Sequence, residues 1–111
     1  MYLRIIQGKL KPGTWADFER AYKGATTDAG AIKGLCGRWL TQDLDDPDSG
    51  TTISLWATET DMNAYESSDL LKKKINPQLS PYFSGDYRTT KSRVKFAEGD
   101  PSPSEWIGSD N

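Results

Sequence analysis

The sequence of 111 residues contains no histidine and a single cysteine, Cys36. Without histidine the chain lacks the usual acid–base group of neutral pH and the commonest metal ligand, and neither a Ser–His–Asp nor a Cys–His arrangement can form. One cysteine cannot form an internal disulfide, which fits a reducing compartment. The acid–base groups that remain are carboxylates, tyrosines, lysines and Cys36 itself.

Long apolar runs are also missing. No stretch approaches the roughly 18 apolar residues that a membrane span requires, and the N-terminus lacks the basic and then apolar layout of a signal peptide. We therefore expect a cytoplasmic protein with no membrane partner. The net charge of −2 gives no general attraction to a phosphate backbone, so we expect no nucleic-acid partner either. The length is that of one domain that folds without metal or disulfide.

Four aspartates lie within residues 43–48 and raise the question of calcium binding. The pattern fails as an EF-hand loop because the twelfth position is Ser54, where that loop requires glutamate. Pro47 and Gly50 favour a solvated hairpin turn instead. The glycine-containing segment 24–30 lacks the GK[ST] of a phosphate loop. We predict neither a metal site nor a cofactor.

Apolar periodicity and turn-forming residues predict the order strand, helix, hairpin, helix, strand. The predicted strands cover residues 2–11, 35–43, 51–57 and 83–96, the predicted helix caps are Thr14 and Thr58, and residues 76–81 are a predicted connector. This order is the split βαβ arrangement of a ferredoxin-like α+β domain with an antiparallel sheet. We place that domain at residues 1–97, followed by an acidic tail over residues 98–111 in which only Trp106 and Ile107 could dock.

Both faces of the predicted sheet need cover, and the length of its last strand indicates a second subunit. Leu3 and Ile5 point to one face while Arg4 and Ile6 point to the other, so both faces carry apolar groups that need cover. The last strand, residues 83–96, would span roughly 45 Å, well beyond the usual strand length. A partner copy could satisfy its surplus backbone groups. We therefore expect a homodimer.

The chain resembles the dimeric α+β barrel superfamily, and within it the antibiotic-biosynthesis-monooxygenase-like group, on three segments. They are LKPGTWADFERAY at the first strand–helix junction, GRWL at positions 37–40, and SLWATETDMNAYESSD from Ser54 to Asp69. The resemblance covers residues 2–96. It implies that two subunits pack their sheets face to face and that each keeps a pocket between its helices and its sheet.

The activities that this resemblance implies are several. Members include cofactor-independent monooxygenases for polyphenolic or quinone-like substrates, haem-degrading enzymes, isomerases, dehydratases and proteins without known activity. The chain has no histidine to serve as the axial ligand of haem-degrading relatives, so we expect no haem degradation. The resemblance therefore supports a fold more strongly than a function.

Aromatic residues are the candidates for a pocket wall. The set consists of Trp15, Phe18, Tyr22, Trp39, Trp56 and Tyr65. They could stack on a flat aromatic ligand, or they could fill the core between helices and sheet. We select Trp39, Trp56, Phe18 and Trp15 as substrate-binding candidates, and the sequence leaves open which sheet face holds the pocket.

Arg38 stands between apolar strand neighbours and must reach water or meet an anion. In a pocket it could bind a phenolate, enolate or carboxylate, and at a dimer interface it could pair with an acidic residue. Tyr65 and Tyr22 could donate hydrogen bonds to the same anion. These three residues are our catalytic candidates. Neighbouring Cys36 is either a thiol activated by Arg38 or a small buried apolar group.

Two functions follow as hypotheses. The first is a monooxygenase-like protein whose small pocket takes a flat aromatic (polyphenol or quinone-like) substrate and oxidises it without a cofactor. The alternative is a non-catalytic homodimer that binds a small molecule or a partner protein, which the lack of a distinctive catalytic set favours. An isomerase or dehydratase is a third possibility, and it would need a carboxylate base such as Glu66 or Asp69 with a raised pKa.

Overall fold

The fold is α+β and ferredoxin-like, with one four-stranded antiparallel sheet, as predicted. The computed structural model describes residues 1–99. Its elements are β1 (Tyr2–Lys9), α1 (Trp15–Ala29), β2 (Leu35–Gln42), β3 (Ser49–Trp56), α2 (Glu59–Glu66), a π-helical turn (Leu70–Ile75), α3 (Asn76–Leu79), a 3-10 turn (Ser80–Tyr82) and β4 (Arg88–Arg93). The strand order is β2-β3-β1-β4. Most of the predicted tail, including Trp106 and Ile107, lies outside the described residues.

The helices lie on one side of the sheet, which we call the covered face. The buried core lies there and consists of Leu10, Phe18, Ala25, Trp56, Met62, Tyr65, Leu71, Ile75 and Leu79. The strand pairing runs Ile5 to Ile53 and Ile53 to Trp39, and these three half-buried side chains point to the other side. With Leu3 and Leu55 they form an apolar surface that we call the open face. No helix formed by residues 1–99 packs on it.

The two predicted helix caps differ in outcome. The Thr58 side chain accepts a hydrogen bond from the backbone N–H of Asp61 at 3.1 Å, which confirms it as the cap of α2. Thr14 precedes α1, but its hydroxyl makes no cap bond and donates instead to the carbonyl of Lys11 at 2.7 Å. The prediction for Thr14 was therefore right in position and wrong in mechanism, because the hydroxyl bonds back into the turn after β1.

The predicted last strand over residues 83–96 was wrong in length. Only Arg88–Arg93 form β4. Phe83 makes an isolated bridge to Leu10, and Gly85 then takes a positive φ of 83° that breaks the extended run. The argument for a second subunit from surplus strand length therefore fails.

Two further departures concern local geometry. Alternation alone puts Leu35 on the same side as Trp39, but a β-bulge between Leu35 and Gly37 moves Leu35 to the covered face opposite Trp56. The predicted connector over residues 76–81 is instead helical, since Pro77 sits in the first turn of α3, where its missing N–H costs nothing. None of the helices in the described part of the chain is long and apolar enough to cross a membrane.

The hairpin turn between β2 and β3 uses its aspartates as hydrogen-bond acceptors. Asp43 Oδ1 accepts from the backbone N–H groups of Asp45 and Asp46 at 2.7 and 3.1 Å. The hydroxyl of Ser49 donates to Asp46 Oδ2 at 2.7 Å, which holds the pKa of Asp46 below its ordinary value. This is the bonding of a turn, and within residues 1–99 no three cysteine or carboxylate side chains are placed so that they could hold a metal ion together.

Candidate functional site

A pocket lies between the covered face and the helices, and strand register divides its floor into three rows. Arg38, Ser54 and Arg4 are paired across β2, β3 and β1 and form the charged row. The middle row is Leu40, Thr52 and Ile6, and the last row is the glycine pair, Gly50 and Gly8. The floor therefore changes from cationic to mainly apolar to bare backbone along the strands.

One carboxylate neutralises one side of the charged row. Glu66, at the end of α2, accepts from Arg4 Nε at 3.1 Å and from Lys91 Nζ of β4 at 3.0 Å. Lys91 is the register partner of Arg4, so the two cations approach the carboxylate from adjacent strands. The hydrogen bonds from Lys91 and Arg4 hold the pKa of Glu66 below its ordinary value, and the bond from Lys91 has the larger effect. Glu66 is thus kept ionised as the counter-ion of Arg4 and Lys91.

Among residues 1–99, Arg38 has no such counter-ion. Its Nη2 is buried and has no hydrogen-bond partner within residues 1–99. Its guanidinium carbon lies 5.8 Å from the ring centroid of Tyr65, and that of Arg4 lies 5.9 Å from the same ring. A buried donor without an acceptor is unfavourable, so Arg38 is suited to an acceptor that a ligand supplies.

Two tyrosines line the pocket close to Arg38. Burial raises the pKa of Tyr22 to about 12, against the opposing charge of Arg38. Burial also raises the pKa of Tyr65, against the opposing charges of Arg38 and Arg4. Both hydroxyls therefore stay protonated at neutral pH and can donate hydrogen bonds to an anion beside Arg38.

Aromatic rings enclose the other end of the pocket. Phe18 of α1 is buried, with ring centroids of Trp15, Tyr22 and Phe83 at 6.0, 6.2 and 5.9 Å. Phe83 in turn lies 5.4 Å from the ring of Tyr87. The Trp15 indole N–H donates to Glu19 Oε1 at 3.2 Å, which orients its ring over the pocket end. This wall can stack on a flat apolar ligand.

The sequence matches the model of one protein family over residues 1–75, and that family is described as antibiotic biosynthesis monooxygenase. The chain belongs to the antibiotic biosynthesis monooxygenase family. The match includes all of α1, the hairpin and α2, and therefore the residues of the charged row. No functionally curated protein shows significant sequence similarity to the chain.

Solved structures of low sequence identity share the family fold. A conserved protein from Methanosarcina mazei Go1 superposes with a TM-score of 0.73 at 22% identity, over 86% of this chain and 94% of that one. A protein from Nitrosomonas europaea, provisionally described as an antibiotic biosynthesis monooxygenase, gives a TM-score of 0.74 at 14% identity, over 86% and 100%. A similarly described protein from Bordetella bronchiseptica gives 0.71 at 17% identity, over 86% and 97%.

Within this family fold, five of the seven candidate residues lie around one pocket. Arg38, Tyr65, Tyr22, Phe18 and Trp15 all line it. Each lies on the covered face or on a helix surface turned toward it. The signals that found them were the apolar faces of α1 and α2 and the presence of an arginine in an apolar strand.

The other two candidates, Trp39 and Trp56, do not line the pocket. Trp56 is 0% exposed and belongs to the core, where its indole N–H donates to Ser54 Oγ at 2.9 Å. Trp39 alternates with Arg38 along β2 and lies on the open face. Trp56 can therefore fix the position of Ser54, and Trp39 points away from any ligand beside Arg38.

Several pocket residues were missed by the sequence reasoning. Arg4 reads as an ordinary strand residue until its pairing with Ser54 and its bond to Glu66 are known. Tyr87 was assigned to the interior of the last strand, and half-buried Asn76 to a connector, but both line the pocket. Only the polarity of Arg4 in a strand with apolar neighbours could have pointed to it.

The remaining chemical hypotheses lose support in the structure. A carboxylate base needs a raised pKa, but the pKa of Glu66 is lowered. Asp69 is exposed and lies 3.6 Å from Lys73, so it is not in the buried site that such a base requires. Cys36 is exposed, and the expectation of a small buried apolar group is wrong because the bulge before Gly37 turns it outward.

Proposed function

We propose that the protein is a monooxygenase-like protein that binds a flat aromatic, polyphenol or quinone-like molecule and oxidises it without a cofactor. The observation that carries this proposal is the buried Nη2 of Arg38, which faces the pocket without a hydrogen-bond partner among residues 1–99. The neutral hydroxyls of Tyr22 and Tyr65 lie around the same pocket. Together they favour a ligand with an ionised oxygen on an aromatic ring.

The chemistry needs a substrate that can itself reduce oxygen. An anthrone-type substrate loses a proton to water to give an electron-rich anion, which transfers electrons to dioxygen. One oxygen atom replaces the two hydrogens of the ring methylene as a carbonyl, and the other leaves with those hydrogens as water. Arg38 stabilises the anion, Tyr22 and Tyr65 donate hydrogen bonds, and Trp15 and Phe18 exclude water.

We further propose that two copies pair through their open faces. Five apolar side chains form this surface: Leu3, Ile5, Trp39, Ile53 and Leu55. Each is half-buried in the isolated chain, and a contiguous apolar patch at the centre of a sheet favours association. A second copy offers the same patch, so a two-fold interface buries both at once.

A non-catalytic binding dimer is the second candidate function. The observation that favours it is that no carboxylate side chain of residues 1–99 lines the pocket, so the described site offers no conventional base. In that case the same cationic end would hold an anionic ligand without turning it over.

Oxygen uptake tests the first proposal. The purified protein is mixed with anthrone-type and hydroquinone substrates with no added cofactor, and consumption is compared with the spontaneous rate. We expect uptake above that rate, with Arg38→Ala reducing it by about 100-fold. Arg20→Ala, which removes an exposed arginine of α1 paired with Asp17, should leave it unchanged.

Size-exclusion chromatography of the same variants separates catalysis from assembly. Both arginine variants should elute with the wild type, because neither side chain lies on the open face. Absence of uptake from every substrate would reject the oxygenase and favour the binding dimer. Dissociation of Arg38→Ala would place that residue at the interface and contradict its assignment to the pocket.

A further inference from the structure

Ser54 lies at the centre of the charged row, between Arg38 on β2 and Arg4 on β1. It is 8% exposed and lines the pocket. Directly paired side chains on one face of an antiparallel sheet have their β carbons about 5 Å apart. The Ser54 hydroxyl is therefore within reach of a ligand that also contacts Nη2 of Arg38.

The hydrogen bonds of the Ser54 hydroxyl leave its proton available to a ligand. Oγ accepts from the indole N–H of Trp56 at 2.9 Å, which fixes the position of the oxygen. The hydroxyl itself donates only to the carbonyl oxygen of Arg4, at 3.4 Å, beyond the usual range of about 2.5–3.0 Å for an O–H···O bond. An acceptor at normal distance inside the pocket would therefore take this proton in preference to the carbonyl.

The charges around the row are not balanced within residues 1–99. Arg38, Arg4 and Lys91 are cations, whereas Glu66 is the carboxylate that bonds to Arg4 and Lys91. No carboxylate side chain of residues 1–99 lines the pocket. Lys91 is partly exposed and can be solvated, but Nη2 of Arg38 is buried. A buried cationic group is unfavourable without an anion, so the row is suited to one further negative charge beside Arg38.

The space above the row suits a small anion. The cavity volume is about 90 Å³, which is room for a few water-sized groups. The ring of Tyr65 covers the row on the helix side, with the guanidinium carbons of Arg4 and Arg38 at 5.9 and 5.8 Å from its centroid. An ion of a few atoms is small enough for this conformation, whereas an extended ring system requires the walls to move.

We propose that the charged row binds a small anion with a planar carboxylate group, such as formate, acetate or bicarbonate, between Nη2 of Arg38 and the hydroxyl of Ser54. Two donors from neighbouring strands match the two oxygens of such a group. The inference goes beyond the proposed function, since it needs neither an aromatic ring nor oxygen. An aromatic anion would have to displace the small anion from Arg38.

Formate tests this site, with the Trp56 indole N–H signal in a ¹H–¹⁵N spectrum as the readout. The signal reports on Ser54 because the two side chains are hydrogen-bonded. Exchange of sodium chloride for sodium formate at constant ionic strength should shift it in a saturable manner. We expect a dissociation constant on the order of 1 mM, the affinity that an ion of this size can reach. A parallel titration with bicarbonate shows whether an organic acid or dissolved carbon dioxide is the better source of the group.

Single substitutions locate the anion, and the line width of the ¹³C-formate signal measures binding without relying on Trp56. Ser54→Ala should weaken formate binding by about tenfold, because one charge-assisted hydrogen bond is lost. Arg38→Ala should weaken it further and abolish the shift of Trp56. Ser92→Ala is the matched control, since it removes a hydroxyl from an exposed position of β4 opposite Leu3 on the open face, and it should change nothing.

Three results would overturn the site. They are the absence of a saturable Trp56 shift in the wild type, an unchanged formate affinity in Ser54→Ala, and a Trp56 shift that persists in Arg38→Ala. If Ser54→Ala does not fold, the wild-type titration and Arg38→Ala still decide. Saturable binding that Arg38→Ala abolishes would support the site even if no substrate gave oxygen uptake, so failure of the oxygenase and failure of this inference are distinguishable.

Discussion

The two faces of the sheet share the same strands and differ in what completes them. Along β3, Ser54 and Trp56 turn to helices of their own chain, while Ile53 and Leu55 turn to a surface that no helix of residues 1–99 covers. Within residues 1–99, the covered face holds the buried core and a pocket in which Nη2 of Arg38 has no hydrogen-bond partner. The open face carries half-buried apolar side chains that no helix of residues 1–99 covers. The unpaired donor of Arg38 favours binding of an anion, and the apolar side chains favour an apolar partner.

The largest expected difference between the two faces is in the free energy of unfolding when one tryptophan on each face is replaced by alanine. Trp56→Ala empties the centre of the core, and we expect a loss of about 3–5 kcal/mol in the free energy of unfolding. Trp39→Ala removes a ring from the half-buried open face and should cost clearly less in the isolated chain. Urea unfolding of both variants at low protein concentration measures the difference, and equal losses would contradict the division into two faces.

A charged side chain introduced at the centre of the open face should weaken dimerisation and leave the pocket on the covered face unchanged. Ile53 lies between Ile5 and Trp39 in the register, so Ile53→Lys would bury a cation in the proposed interface. We expect the dimer dissociation constant to rise by at least about 100-fold, measured by analytical ultracentrifugation. Thr90→Lys, at the exposed β4 edge of the same face, is the matched control with a smaller expected effect. An unchanged constant for Ile53→Lys would place the interface elsewhere.

The smallest expected effect is on the free energy of unfolding when Glu66, the counter-ion on the covered face, is replaced. The folded-state pKa of Glu66 is lowered by Lys91 and then Arg4, so its contribution to stability is present above its ordinary pKa of 4.5 and is lost as the pH falls through the lowered value. The Glu66 side chain is 35% exposed, and we expect Glu66→Gln to cost about 1 kcal/mol at pH 7.

Thermal unfolding from pH 7 to pH 3 measures this contribution. The difference between wild type and Glu66→Gln should shrink as the pH falls below 4.5. A constant difference across that range would show that the variant acts through packing and not through the charge of Glu66.

The element order was predictable because each signal for it is local. Alternation marked the sides of β1 and β3, the three- and four-residue spacing of aromatics marked α1, and Thr58 followed by Asp61 marked the start of α2. The end of the chain was less predictable. Whether Phe83 to Tyr87 extend β4 depends on the backbone conformation at Gly85, whose positive φ follows the bridge between Phe83 and Leu10.

The site was predictable only where a single residue carried the signal. Arg38 is noticeable in an apolar strand, and Trp15 and Phe18 belong to an amphipathic face. The charged row and the glycine pair depend on register across three strands, which one sequence does not specify. Trp39 is a different case, because strand alternation alone already puts it on the face opposite Arg38.

The tryptophan indole N–H signals offer the most direct test of the central claim that ligand binding belongs to the covered face and assembly to the open face. In a ¹H–¹⁵N spectrum, Trp15 reports on the pocket, Trp56 on the core beside Ser54 and Trp39 on the open face. Titration with anthracene-2-carboxylate at constant protein concentration should shift Trp15 strongly and Trp56 weakly, and should leave Trp39 unmoved. Dilution without ligand should move Trp39 alone among these three. A ligand-induced shift of Trp39 with Trp15 unchanged would contradict the account.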